Sequence, residues 1–335
     1  MSSQFLNLRG DPIPQEQVLG YGGSAVVLLQ EGIAVKTPLR YLWSSDSDVE
    51  VNLDTVRREQ DIYRRLQSDK DDRSKGIVRC IGFSAESTQL AYMANGDLRA
   101  YLQKHRPPHE LQLAWFREMA RTLCYIHDQR VLVADIAARN FLLDTDLSVK
   151  ICDFTEASLL PLECNMETVD DNGYTTQIDV GLLGTVMYEV MTGTKCKVDL
   201  FEHNSPADGR AHWPERKCLP STEGLWLDRI VEGCWDGEFR SAHSLLRALD
   251  SVDLHRAYPV DHTCTASFLH SIEEYTRDQP ITIIIGVLGL TMFTFMIGRR
   301  VFLVPLCFFR YRTSQTILDR PTRYKYVLAT SSCLL

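Results

Sequence analysis

Between residues 16 and 37 apolar positions alternate with polar ones and are broken by glycine: VLG, a glycine turn, AVVLL, a two-residue EG turn, then IAVK. That alternation predicts short antiparallel strands joined by tight turns. The polar loop SSDSD leads into a stretch from about Val49 to Leu66 where Leu53, Val56, Ile62, Tyr63 and Leu66 recur at helical spacing. Glu59 falls on this apolar stripe, three residues from both Val56 and Ile62. A carboxylate on a buried face needs a partner, because an unpaired buried charge is costly. Lys36, which ends an apolar strand and is itself awkward there, is the obvious candidate. Two more strand-like runs follow, GIVRCIGFS and TQLAYM, and then NGD, a turn or helix-start signal. From Leu98 to about residue 250 the spacing is mostly helical, interrupted by VLVADIAARNFLLD and VKICDF. The pattern predicts an α+β chain: a small β-rich part with one helix, then a larger, mainly α-helical part.

Composition narrows the class. A chain of 335 residues, 44% hydrophobic and 24% charged, excludes wholesale disorder and a polytopic membrane protein. A net charge of -8 argues against nucleic acid as a partner. The charge is uneven: from Arg299 onward seven Lys and Arg stand against one Asp, so the acidity lies upstream. The ten cysteines include no CxxC pair, which reads as isolated reduced thiols rather than a zinc site or disulfide scaffold. The opening MSSQFLNLRGDPIPQEQ has no apolar core of a secretory signal, so a cytoplasmic start is expected.

Taken in order, several segments resemble a eukaryotic protein kinase domain over roughly residues 16–252. LGYGGSAVV resembles the glycine-rich phosphate loop, AVK and the helix Glu follow, VADIAARN resembles the catalytic loop, and CDF the metal-binding strand end. IDVGLLG, YEVMTG and CWDGEFRSA resemble landmarks of the helical lobe. The resemblance implies a bilobal fold, with an N-lobe of about 16–94 and a C-lobe of about 95–252. It implies ATP and Mg²⁺ as cofactors and a protein substrate. Gly20 and Gly22 would let the backbone approach a triphosphate. Leu19, Val27 and Ala34 would pack on adenine, and Lys36, positioned by Glu59, would hold the α- and β-phosphates. Leu90 falls at the gatekeeper position, and Ala91 to Met93 form the hinge. Asp135 would accept the substrate hydroxyl proton, Arg139 would steady the γ-phosphate, and Asn140 and Asp153 would hold the metal.

The chain departs from that pattern. His-Arg-Asp has become Val133-Ala134-Asp135, which removes a phosphate receptor for the activation loop and loosens the support of the base. Asp-Phe-Gly reads Asp153-Phe154-Thr155, and a β-branched residue should restrict switching there. Asn165-Met166-Glu167 stands where Ala-Pro-Glu is expected, with Glu167 placed to pair with Arg240. Two readings stay open: a protein kinase transferring the γ-phosphoryl of Mg·ATP to a protein hydroxyl, and a nucleotide-binding pseudokinase scaffold.

The rest of the chain divides into an N-terminal extension (1–15), a linker (253–280), an apolar segment (281–309) and a basic tail (310–335). Residues 281–298 form an uncharged apolar run of 18, about the minimum for a transmembrane helix. The segment is therefore a candidate membrane anchor, with the kinase-like domain facing the cytoplasm and the topology open. A buried core helix and a mis-assigned coding region are the alternatives.

Overall fold

The structure, a computed structural model, describes residues 2–67, 72–202 and 209–254. Its first strands, β1 (Ser2–Leu6) and β2 (Pro12–Pro14), pair antiparallel with each other. The main sheet follows: β3 (Val18–Tyr21), β4 (Ala25–Gln30), β5 (Ile33–Pro38), β6 (Cys80–Phe83) and β7 (Thr88–Ala91), all antiparallel in the order β3-β4-β5-β7-β6. The alternation read from residues 16–37 becomes the two faces of this sheet. Val26 and Leu28 turn to one face and are covered by Phe5 and Ile13 of the hairpin and by Leu39, forming a small separate core. The expected extension is thus a lid over the outer face of the sheet, tied down by Leu6 N donating to Arg40 O at 2.9 Å. Val27, Ala34, Lys36 and Leu90 turn to the other face and line a cleft.

Helix α1 (Asp46–Leu66) begins in a capping box, Ser45 and Asp48 each bonding the other's backbone N–H. It packs against β5, and Val56, Glu59, Ile62, Tyr63 and Leu66 are all buried. The second part is helical: α2 (Leu98–Lys104), α3 (His109–Asp128), α4 (Thr176–Thr192), α5 (Asp228–Trp235) and α6 (Ala242–Asp250). The interrupting segments form short β-pairs. β8 (Val131–Leu132) lies against β11 (Ser158–Leu159), and β9 (Phe141–Leu143) against β10 (Val149–Ile151). Helix α4 is buried nearly all round, and its glycines explain how. A Cβ at Gly181 would lie 2.6 Å from the Trp213 ring, and one at Gly184 would lie 2.7 Å from Cys234. Arg99 of α2 reaches α4 through Glu189 at 2.7 Å.

The result is a bilobal α+β fold with a β-rich N-lobe and a helical C-lobe. The expected pair between Glu167 and Arg240 is not formed. Both side chains are exposed, and a second Arg–Glu brace in that lobe, beside Arg99 with Glu189, is Arg216 with Glu232, Nε to Oε2 at 2.6 Å. The apolar segment 281–309 and the basic tail lie outside the described residues. Among the described residues no helix is long and apolar enough to cross a membrane.

Candidate active site

Lys36 stands opposite Val27 and Thr88 in the sheet and is 5% exposed. Its ammonium lies 2.8 Å from Glu59 Oε2 and donates to Glu59 Oε1 at 2.9 Å. It also donates to Asp153 Oδ1 at 2.7 Å and to Thr155 Oγ1 at 2.9 Å. Three acceptor residues thus use the three protons of one ammonium. Glu59, 1% exposed, also accepts from the Phe154 backbone N–H at 2.8 Å. Phe154 is fully buried and meets Tyr63 edge-on at 5.2 Å. The acidic residue on the apolar stripe of α1 therefore does two things: it pairs the buried lysine and fixes the strand end that carries Asp153.

Burial alone would lower the Lys36 pKa, but the Glu59 and Asp153 carboxylates outweigh it and hold it above its ordinary 10.5. For Asp153 burial works against ionisation. The Lys36 charge and the hydrogen bonds from Lys36 and Thr155 prevail, and its carboxyl sits below the ordinary 3.8. Both groups stay charged around neutrality. The Asp153 contribution to stability is present above its unfolded value and is lost as pH falls through the lowered one.

Asp135 lies in the loop between β8 and β9. Both its carboxylate oxygens accept from Arg139 at 2.6 Å, and Oδ2 accepts from Asn140 Nδ2 at 2.9 Å. Arg139, expected to steady a phosphate, is here seated on the Asp135 carboxylate. The loop backbone hangs from Asp179 of α4, which is 1% exposed. Its two oxygens accept from the N–H groups of Val133 and Ala134 at 2.9 Å each, and His127 Nε2 lies 2.9 Å from Oδ2. The support expected to weaken with the lost His-Arg pair is thus provided through the main chain. Ala134 and Asp153 both take positive φ, 63° and 64°. Left-handed backbone at non-glycine residues persists only where the surroundings over-determine it.

Lys36, Asp135, Arg139, Asn140, Asp153 and Thr155 line one cleft of about 1050 Å³. Leu19, Val27, Ala34, Leu90 and Met93 form its apolar slot, with Leu142 of β9 as the floor. In the hinge, the Ala91 N–H donates to Arg79 O at 2.8 Å and the Met93 carbonyl accepts from Gly96 N at 3.2 Å. The Ala91 N–H is thus taken, while the Met93 carbonyl keeps its second lone pair and the Met93 N–H makes no backbone hydrogen bond among the described residues. A Cβ at Gly20 or Gly22 would meet nothing within 4 Å, so no protein atom demands glycine there. Both glycines border the cleft.

The donor set also suits a hard divalent cation. Asp153 Oδ2 and the Asn140 side-chain oxygen accept no hydrogen bond among the described residues, and oxygen ligands of this kind are what Mg²⁺ takes. The structure brings Lys36 together with Glu59 and Asp153, and Asp135 together with Arg139 and Asn140. It adds Asp179 with His127, Leu142, and the Thr155 hydroxyl. Asp179 stood inside a recognisable landmark, but its partners are backbone N–H groups, which leave no side-chain pattern to read. Thr155 had been read through its backbone alone.

Comparison with known proteins agrees with this geometry. Residues 49–245 match the family described as protein tyrosine and serine/threonine kinase. The chain is 27% identical over 228 residues to tyrosine-protein kinase JAK3 of Rattus norvegicus, covering 62% of this chain and 18% of that protein. It is 29% identical over 163 residues to the serine/threonine/tyrosine-protein kinase HT1 of Arabidopsis thaliana, covering 43% and 40%. With the tyrosine-protein kinase receptor TYRO3 of Danio rerio it shares 30% over 217 residues, covering 55% and 25%. The chain thus spans well under half the length of these relatives. With more than half of its residues in the match, the chain belongs to the protein tyrosine and serine/threonine kinase family.

Proposed function

We propose that this chain is an active protein kinase that moves the γ-phosphoryl of Mg·ATP to a protein hydroxyl in the cytoplasm. The observation that carries the reading is the network of the buried Lys36 and Glu59 with the partly exposed Asp153, facing Asp135 and Asn140 across one cleft. Keeping an ammonium and a carboxylate buried is costly unless each is paired, and this arrangement has a use where phosphates must be held. Bound Mg·ATP supplies the transferable phosphoryl group and the cation that neutralises its charge. The chain's own residues do the rest. Lys36 turns an N–H toward the phosphate oxygens while Glu59 keeps it in place. Asp153 Oδ2 and the Asn140 oxygen would hold the metal. Asp135 accepts the acceptor hydroxyl's proton, with Arg139 fixing its carboxylate orientation and Asp179 the loop beneath it. Catalysis here is positioning and charge stabilisation.

The test is γ-labelled ATP with the full chain and its Asp135→Asn variant. Label transferred only by the parent, with nucleotide affinity alike in both, is the expected result. Equal label from both refutes Asp135 as the base. A second reading, a nucleotide-binding scaffold without transfer, is favoured by one observation: both oxygens of Asp135 are held by Arg139. On that reading neither protein transfers label, while Mg·ATP still raises the melting temperature.

A further inference from the structure

The residue after Phe154 is where the family carries glycine, and in this chain its side chain is wired into the site. Thr155 Oγ1 accepts from Lys36 Nζ at 2.9 Å and donates to Asp153 Oδ1 at 2.7 Å, while Lys36 donates to that same Oδ1 at 2.7 Å. The three atoms close a triangle in which each hydrogen has one acceptor. The backbone N–H of Thr155 adds a longer contact to Asp153 Oδ1 at 3.4 Å. Thr155 is absent from the residues with left-handed backbone, so it holds this position without conformational strain. Glycine offers no such hydroxyl.

The consequence follows from counting donors. Lys36 has three protons, and Glu59, Asp153 and Thr155 take them all. A phosphate oxygen can be met only if one of these bonds opens. Glu59 is buried and also held by the Phe154 N–H, so it is the last to yield. Asp153 keeps Oδ1 on Lys36 and Thr155 while its Oδ2 stays open, so the Lys36–Thr155 bond is the one a phosphate oxygen would replace. We infer that Thr155 is a positioning residue that competes with the nucleotide's phosphate oxygens for a proton of Lys36, and so weakens nucleotide affinity. This rests on the cleft being a nucleotide site.

The experiment compares the full chain with Thr155→Val, which keeps the branched shape and removes the hydroxyl, and Thr155→Ser, which restores it. ATP affinity is read from thermal shifts and calorimetry, once with Mg²⁺ and once in EDTA. A hydrogen bond of this kind contributes about 1 kcal/mol net, so Thr155→Val should bind Mg·ATP about three- to tenfold more tightly. The gain should appear both with Mg²⁺ and in EDTA, since the contested proton belongs to Lys36 and not to Asp153. Thr155→Ser should bind like the parent. Unchanged or weaker binding by Thr155→Val, or a Ser variant that behaves like the Val one, overturns the inference while leaving the nucleotide site intact. Binding by none of the three proteins overturns both. Loss of packing alone would lower affinity in both conditions and would not be rescued by Ser.

Discussion

The two walls of the cleft are built on different principles. The nucleotide-facing wall joins β5, α1 and the strand end after β10 through charges that are mostly buried: Lys36, Glu59 and Asp153. The acceptor-facing wall is fastened by the backbone. β11 pairs with β8, Arg65 of α1 donates to Gln129 O and Leu160 O at 3.2 Å each, and Arg130 donates to Leu162 O at 3.2 Å. One exposed ion pair, Asp170 with Arg210, adds to this. The first wall depends on chemistry that tolerates few substitutions. The second is held by bonds in which no modified side chain takes part.

The largest effect should come from breaking the first wall. Lys36→Met leaves Glu59 buried without its partner and Asp153 without its strongest contact. Removing one partner of a buried pair costs about 3–5 kcal/mol, discounted here because Asp153 is partly exposed. A clear fall in melting temperature is expected, with phosphoryl transfer reduced to background. A Lys36→Met protein that transfers label at the parental rate would break the distinction between the walls.

Next comes the joint between them. Asp179→Ala orphans the Val133 and Ala134 N–H groups and unseats His127. Each buried donor left unpaired costs roughly 1–3 kcal/mol, so the loss should exceed ~2 kcal/mol in denaturant unfolding. Transfer should fall mainly in kcat, because the loop carrying Asp135 loosens while Lys36 and the apolar slot do not. A variant with unchanged stability would show that the loop is braced elsewhere.

The smallest effect belongs to the second wall. Exhaustive phosphatase treatment should leave transfer within about twofold, since the backbone bonds that order residues 158–162 involve no phosphate. A large drop, reversed on incubation with ATP, would reveal a phosphate receptor other than the missing arginine.

How much of this could be read from the chain alone depends on the kind of interaction. Strands β3 to β5 were legible because alternation and glycine turns are local. The Lys36–Glu59 pair was legible because an acid on an apolar stripe is a conflict that demands a solution. Hairpin β1–β2 was not: its buried apolar anchors are Phe5 and Ile13, too few to give a period, and so short a hairpin is stable only once docked on the sheet. The seating of Arg139 on Asp135 and the support from Asp179 depend on tertiary placement of backbone groups. Thr155 drew attention for what its backbone would disfavour, whereas its hydroxyl carries the consequence. Glu167 and Arg240 had complementary charge and suitable spacing, yet both remain in solvent, where such a pair gains little.

The most direct test of the central claim is single-turnover transfer from γ-labelled ATP by the full chain beside its Asp135→Asn twin, with nucleotide affinity measured in both. The account predicts labelled protein product from the parent, none above background from the variant, and nearly equal affinity. Equal labelling by both, or no labelling by a parent that binds Mg·ATP, would contradict it.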